Sequence, residues 1–135
     1  MSLPLTITPD GDLPIYRQIY NQIRRAALTG SLPEGEALPS VRALAERLVV
    51  NPNTVARAYQ ELTRDGLVES RPGKGCYIAP SGCSLPEAER LRRCRDALDL
   101  FLDEAVFLGF TPARVNDLLK QAWKRFEKES KESKE

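Results

Sequence analysis

Histidine is missing from the 135-residue sequence. Its absence removes Ser-His-Asp and Cys-His nucleophile arrangements and takes away the commonest zinc ligand. Cysteine is sparse. Cys76, Cys83 and Cys94 are an odd number at wide spacing, with no C-x-x-C pair, so neither a disulfide framework nor a metal knuckle is indicated. Reduced thiols in a cytoplasm are the simplest reading. The opening MSLPLTITPDGDLP has no basic start followed by an apolar run, and no other run approaches the length that crosses a bilayer. The sequence therefore predicts a cytoplasmic protein without membrane contact. Paired carboxylates in a recognisable site are also lacking, and RPGKG at 71–75 has no strand-to-helix context that would make it a phosphate-binding loop. No enzyme is indicated, and neither cofactor nor metal is expected. Nor is there an excess of one charge: 20 Lys and Arg against 19 Asp and Glu leave +1. Any case for a nucleic-acid partner must rest on local placement of charge.

The chain contains the makings of one small domain and an extension. Residues 1–12, rich in Pro, Gly and Thr, read as an extended arm. Ile15, Ile19, Ile23 and Ala27 then recur every four residues, with Tyr16 and Tyr20 alongside. This is one apolar stripe on a helix, with Asp12 as candidate cap and Gly30 as its stop. The prolines and glycine of SLPEGEALP end it. Ser40 caps a second helix that buries Val41, Leu44, Ala45 and Leu48. After only VVN, Asn51 caps a third, with Pro52 at its first position, where a missing N–H costs nothing. Two short helices joined so tightly form a helix-turn-helix. GLVES and CYIA, separated by RPGKG, predict a β-hairpin. The expected fold is mainly α with a small hairpin: a winged helix-turn-helix over 13–80, a linker over 81–86 and a two-helix segment over 87–127. Residues 128–135, without an apolar side chain, predict a disordered charged tail.

On a wheel of the third helix, Val55, Ala58, Tyr59 and Leu62 share one side. Asn53, Arg57, Gln60 and Arg64 share the opposite one, with Thr54 at its flank. Asn and Gln can pair with adenine and Arg with guanine through two hydrogen bonds each, whereas a helix start suits phosphate. The outer face is thus suited to a DNA major groove. Taken alone it would fit a solvated surface equally well. Arg42 in the first turn of the second helix, and Arg71 and Lys74 around the hairpin turn, add cations where a duplex backbone or minor groove would run.

The segment from PIYRQIYNQ to KGCYI resembles, nearly end to end, the winged-helix domain of GntR-type bacterial transcription regulators. The motifs that carry the resemblance are G-x-L-P-x-G-x-x-L-P-S-x-R-x-L-A, N-T-V-x-x-A-Y-x-x-L and G-x-G, and together they cover about half of the chain. The resemblance implies DNA contacts at Arg42, Asn51, Asn53, Thr54 and Arg57 and at Gly73, Lys74 and Gly75 of the wing. Pro52 and Cys76 depart from the family pattern. The short region that follows resembles the small YtrA-like subfamily, which implies that its helices pair two protomers and that the targets include transporter genes.

The sequence also supports pairing independently. Leu91, Cys94, Leu98, Phe101, Ala105 and Leu108 alternate steps of three and four, the spacing of a coiled-coil seam. Thr111 and Pro112 start a last helix in which Val115, Leu118, Leu119, Ala122 and Phe126 face inward, and Trp123 belongs to core or interface. The two helices could cover one another, but Leu100, Leu102, Val106 and Phe107 would still leave apolar surface for a second copy. The expectation is a homodimeric repressor on a pseudo-palindromic double-stranded operator, with room for an unassigned small-molecule effector. A protein-interaction module on a winged-helix scaffold is the alternative.

Overall fold

The structure is a computed structural model that describes residues 3–80 and 82–134. The portions of the expected arm, linker and tail at Met1, Ser2, Ser81 and Glu135 lie outside the described residues. The chain divides into two compact units, Met1–Ser81 with Ser130–Glu135, and Gly82–Glu129.

The first unit is a winged helix-turn-helix. It contains α1 (Ile15–Thr29), α2 (Val41–Leu48), α3 (Pro52–Arg64), β1 (Val68–Arg71) and β2 (Gly75–Ile78). The stripe read from α1 lies inward, with Ile19, Tyr20 and Ile23 buried against Leu44, Val55 and Leu62. Gly30 ends α1 at φ 87°, a left-handed conformation that costs glycine least. Asp12 does not cap this helix. Pro14 takes the cap position and makes no side-chain cap bond, since its ring carries no oxygen to accept one.

The hairpin pairs Val68 with Ile78 and Arg71 with Gly75, antiparallel. The loop before α2 adds a short third edge. Ala37 bridges Tyr77, Leu38 N–H donates to the Cys76 carbonyl at 2.9 Å and Ile78 N–H donates to that of Glu36 at 2.9 Å. The loop is thus bonded along β2, and Leu32 and Leu38 are buried beneath it.

The N-terminal arm is extended, as its composition predicts, and it belongs to the core. Leu3 is buried and Leu5 and Ile7 pack behind it, whereas Pro4, Thr6 and Thr8 are exposed, the two-residue alternation of a strand.

In the second unit, α4 (Glu87–Phe107) and α5 (Pro112–Lys134) are joined by a turn with Gly109 at φ 83°. Thr111 caps α5, its hydroxyl accepting from Arg114 N–H at 3.2 Å. The two helices do not cover one another as the sequence predicts. Ala105 is the one buried hydrophobic among the described residues of this unit, and Leu98, Phe101, Leu119 and Trp123 are all exposed, Trp123 by 66%. The Gly109 turn does not fold α5 back along α4, so the seams meet no partner within the unit. Cys94 is likewise exposed, not buried in a seam. Residues 128–134 are helical where a disordered tail is expected. Lys and Glu are good helix formers, and the Glu127–Lys131 spacing favours continuation. No helix among the described residues is long and apolar enough to cross a membrane.

Candidate nucleic-acid interface

Four independent ties fix α3. Val55, Ala58 and Leu62 are fully buried against the other helices. The Tyr59 hydroxyl donates to the Pro39 carbonyl at 2.7 Å, just ahead of α2, and burial raises its pKa above the ordinary phenol range. The Tyr20 hydroxyl of α1 donates to the Asp65 carboxylate at the end of α3. At the start, the Asn51 side chain accepts from Asn53 N–H at 2.8 Å, with Pro52 in the first turn. A helix held at both ends and along one side presents its other side in a fixed orientation.

That other side carries Asn53, Arg57, Gln60 and Arg64, all exposed, with Thr54 half-buried at the edge. They do not share one environment. Gln60 lines a shallow concavity between α3 and the hairpin together with Ala56, Thr63, Ser70 and Cys76. Arg57 leans toward α1, where its guanidinium lies 3.8 Å from the centroid of the Tyr16 ring. Arg64 turns to carboxylates at the end of α3, 3.7 Å from Asp65 and 3.9 Å from Glu61.

Arg42 and Asn51 come together across the helix-turn-helix, lining a second shallow concavity with Val49 and Pro52. Val49 itself was not singled out by sequence reasoning. It is a β-branched residue at φ 56° and is 88% exposed. A valine there is strained, and periodicity gives no sign of backbone handedness.

At the wing, Gly73 and Gly75 have φ of 73° and 91°, which lets three residues reverse the chain and leaves Lys74 exposed at the tip. Arg71 is held more firmly. Register puts Glu69 opposite Tyr77 and Arg71 diagonal to it. The Arg71 guanidinium therefore stacks 4.0 Å from the Tyr77 ring centroid while donating to Glu69 at 3.0 Å.

Arg42, Asn51, Asn53, Arg57, Gln60 and Lys74 thus offer cationic and amide donors from α2, α3 and the hairpin turn. Neither concavity beside them is an enclosed cavity. Such a surface can meet a long, groove-bearing polyanion.

Comparison with known proteins points the same way. Residues 15–78 match the family model of bacterial regulatory proteins of the gntR family. The HTH-type transcriptional repressor YtrA of Bacillus subtilis is 32% identical over 117 residues, covering 87% of this chain and 90% of that protein. A transcriptional antiterminator from Listeria monocytogenes has a similar structure, with a TM-score of 0.82 at 35% identity over 93% of this chain and 95% of the other. The AraR DNA-binding domain in complex with operator ORX1 superimposes with a TM-score of 0.51 at 25% identity, covering 56% of this chain and 96% of that one.

Proposed function

The chain belongs to the gntR family of DNA-binding transcriptional regulators, not enzymes, and from that premise we propose that it is a homodimeric repressor of a pseudo-palindromic operator. The observation that carries the reading is the division of α3. Val55, Ala58, Tyr59 and Leu62 are buried, and Asn53, Arg57 and Gln60 stand exposed on the opposite side. In this reading Asn53, Arg57 and Gln60 address base edges. Arg42, the Asn51 end of α3, Thr54 and the Gly73-Lys74-Gly75 tip hold the phosphate backbone, while Arg71 lies beside the minor groove and Arg64 makes an outer contact. The positive end of the α3 dipole adds a favourable field for phosphate.

Pairing is supported by the second unit. Leu91, Leu98, Phe101, Leu102, Leu108, Leu119 and Trp123 are all exposed large hydrophobics, a density that isolated soluble helices do not sustain. Together with the exposed Cys94 they form the surface on which a second copy is seated, whereas Ala105, expected there from its spacing, is already buried within its own chain. Two heads on one dimer gain affinity through effective concentration and read two half-sites about 10 bp apart. Repression is the activity named for the B. subtilis relative. A transporter operon is the target class that the family resemblance implies, and the cytoplasm is where such a regulator works.

The test is a footprint on the duplex that the full chain enriches from a random library. A symmetric footprint with two half-sites, bound by two chains, is expected. A one-sided footprint bound by a single folded chain contradicts the proposal.

A further inference from the structure

The guanidinium carbons of Arg57 and Arg71 each lie over a tyrosine ring from a neighbouring element, 3.8 Å from the Tyr16 centroid and 4.0 Å from that of Tyr77. Tyr16 belongs to α1, and its half-buried ring is fixed by the core against which it packs. Arg57 thus starts from α3 and rests on a platform supplied by another helix. The ring attracts the charge of the group, and the five N–H donors of the guanidinium find no conventional acceptor in it.

Geometry of this kind matters for reading a base. Bidentate pairing with guanine O6 and N7 requires the guanidinium plane to coincide with that of the base pair, and a free arginine must give up much rotamer freedom to reach it. A ring beneath the group removes most of that freedom before DNA arrives. Exposed Arg42 and Lys74 have no such platform among the described contacts. A phosphate contact tolerates motion of the charge.

We propose that Tyr16 is a positioning residue for base recognition: its ring holds the Arg57 guanidinium in the orientation that selects guanine at one position of each half-site. The inference rests on α3 entering the major groove. Tyr77 offers Arg71 the same support at the wing.

The experiment uses the full chain and the duplex that it enriches from a random library. Binding to this duplex is compared with binding to one in which the base lost from the Arg57→Ala preference is replaced. Tyr16→Phe keeps the ring face, and its selectivity stays within about twofold of the parent. Tyr16→Leu lowers the selectivity by about three- to tenfold, with affinity for an unrelated duplex unchanged. In the Arg57→Ala background Tyr16→Leu has no further effect. Thermal unfolding without DNA verifies that each variant is folded, and Tyr16→Met replaces Tyr16→Leu where the latter is not. Equal losses of selectivity in both backgrounds would overturn the proposal, as would tighter binding by Tyr16→Leu, which would mean that the ring holds the arginine back. If Arg57→Ala itself changes neither affinity nor preference, the major-groove reading fails and Tyr16 falls with it. A selective Arg57 with a silent Tyr16 overturns only the role of the ring.

Discussion

The side-chain amide of Gln22 bonds both backbone groups of Thr6, accepting from its N–H at 2.9 Å and donating to its carbonyl at 2.8 Å. One turn earlier, Gln18 does the same for Thr8, at 2.8 and 2.9 Å, and also donates to the Leu13 carbonyl. Four helix residues advance about 6 Å and two strand residues slightly under 7 Å, so amides at i and i+4 match alternate residues of an extended arm. The glutamines substitute for a neighbouring strand.

Gln22→Leu leaves both Thr6 backbone groups to water while Leu5 and Ile7 keep their apolar contacts. A loss of about 1–2 kcal/mol is expected, since each exchanged bond contributes about 1 kcal/mol net. Denaturant unfolding measures the loss, and faster hydrogen exchange confined to residues 3–8 assigns it to the arm. Unchanged exchange there would count against the clamp.

Much of this was legible in the sequence. The four-residue apolar spacing of α1, Ser40 and Asn51 as caps, and the glycines of the wing all report local chemistry, and the structure places them as read. The misses are long-range. Leu3, Leu5 and Ile7 alternate visibly, yet nothing local says that glutamines from a helix will pair with the strand they form. The Ala37 edge is three hydrogen bonds wide, too short to leave a pattern. A wheel assigns Arg57 to the outer face but cannot show that Tyr16 of another helix lies beneath it. The mutual covering of α4 and α5 was inferred from their apolar stripes, and stripes specify a need for a partner without specifying which one.

Val49 occupies the left-handed region with almost no packing to lose. Relief of its backbone strain, about 1–2 kcal/mol, exceeds the entropy cost of a glycine, about 0.5–1 kcal/mol. Val49→Gly should therefore raise the unfolding midpoint, with a net gain of about 0.5–1 kcal/mol. A lowered midpoint would show that the side chain has a stabilising contact.

Alkaline stability follows from two phenols. Burial, and then the bond to Asp65, raises the Tyr20 pKa above its ordinary 10.0, and burial does the same for Tyr59. The unfolded chain therefore loses these protons first. Their contribution is fully present below pH 10 and is lost as pH rises toward the higher folded values. Denaturation midpoints at about pH 9 and about pH 11 should differ more for the parent than for Tyr20→Phe with Tyr59→Phe. An equal pH dependence would contradict this assignment.

Leu98 and Phe101 are 48% and 41% exposed on α4. Leu98→Asp with Phe101→Asp should convert a sedimenting dimer to monomer and weaken operator binding by about a hundredfold or more through lost effective concentration. The helix signal should be largely kept, because the core of the first unit does not use these residues. A dimer that persists would place the partner surface elsewhere.

The most direct test of the account is the base preference of Arg57→Ala. Its selected sequences, compared with those of the parent, should lose information at one symmetry-related position in each half-site, with an affinity cost of about 1–3 kcal/mol in a folded protein. An unchanged preference at every position would mean that the outer face of α3 does not read DNA.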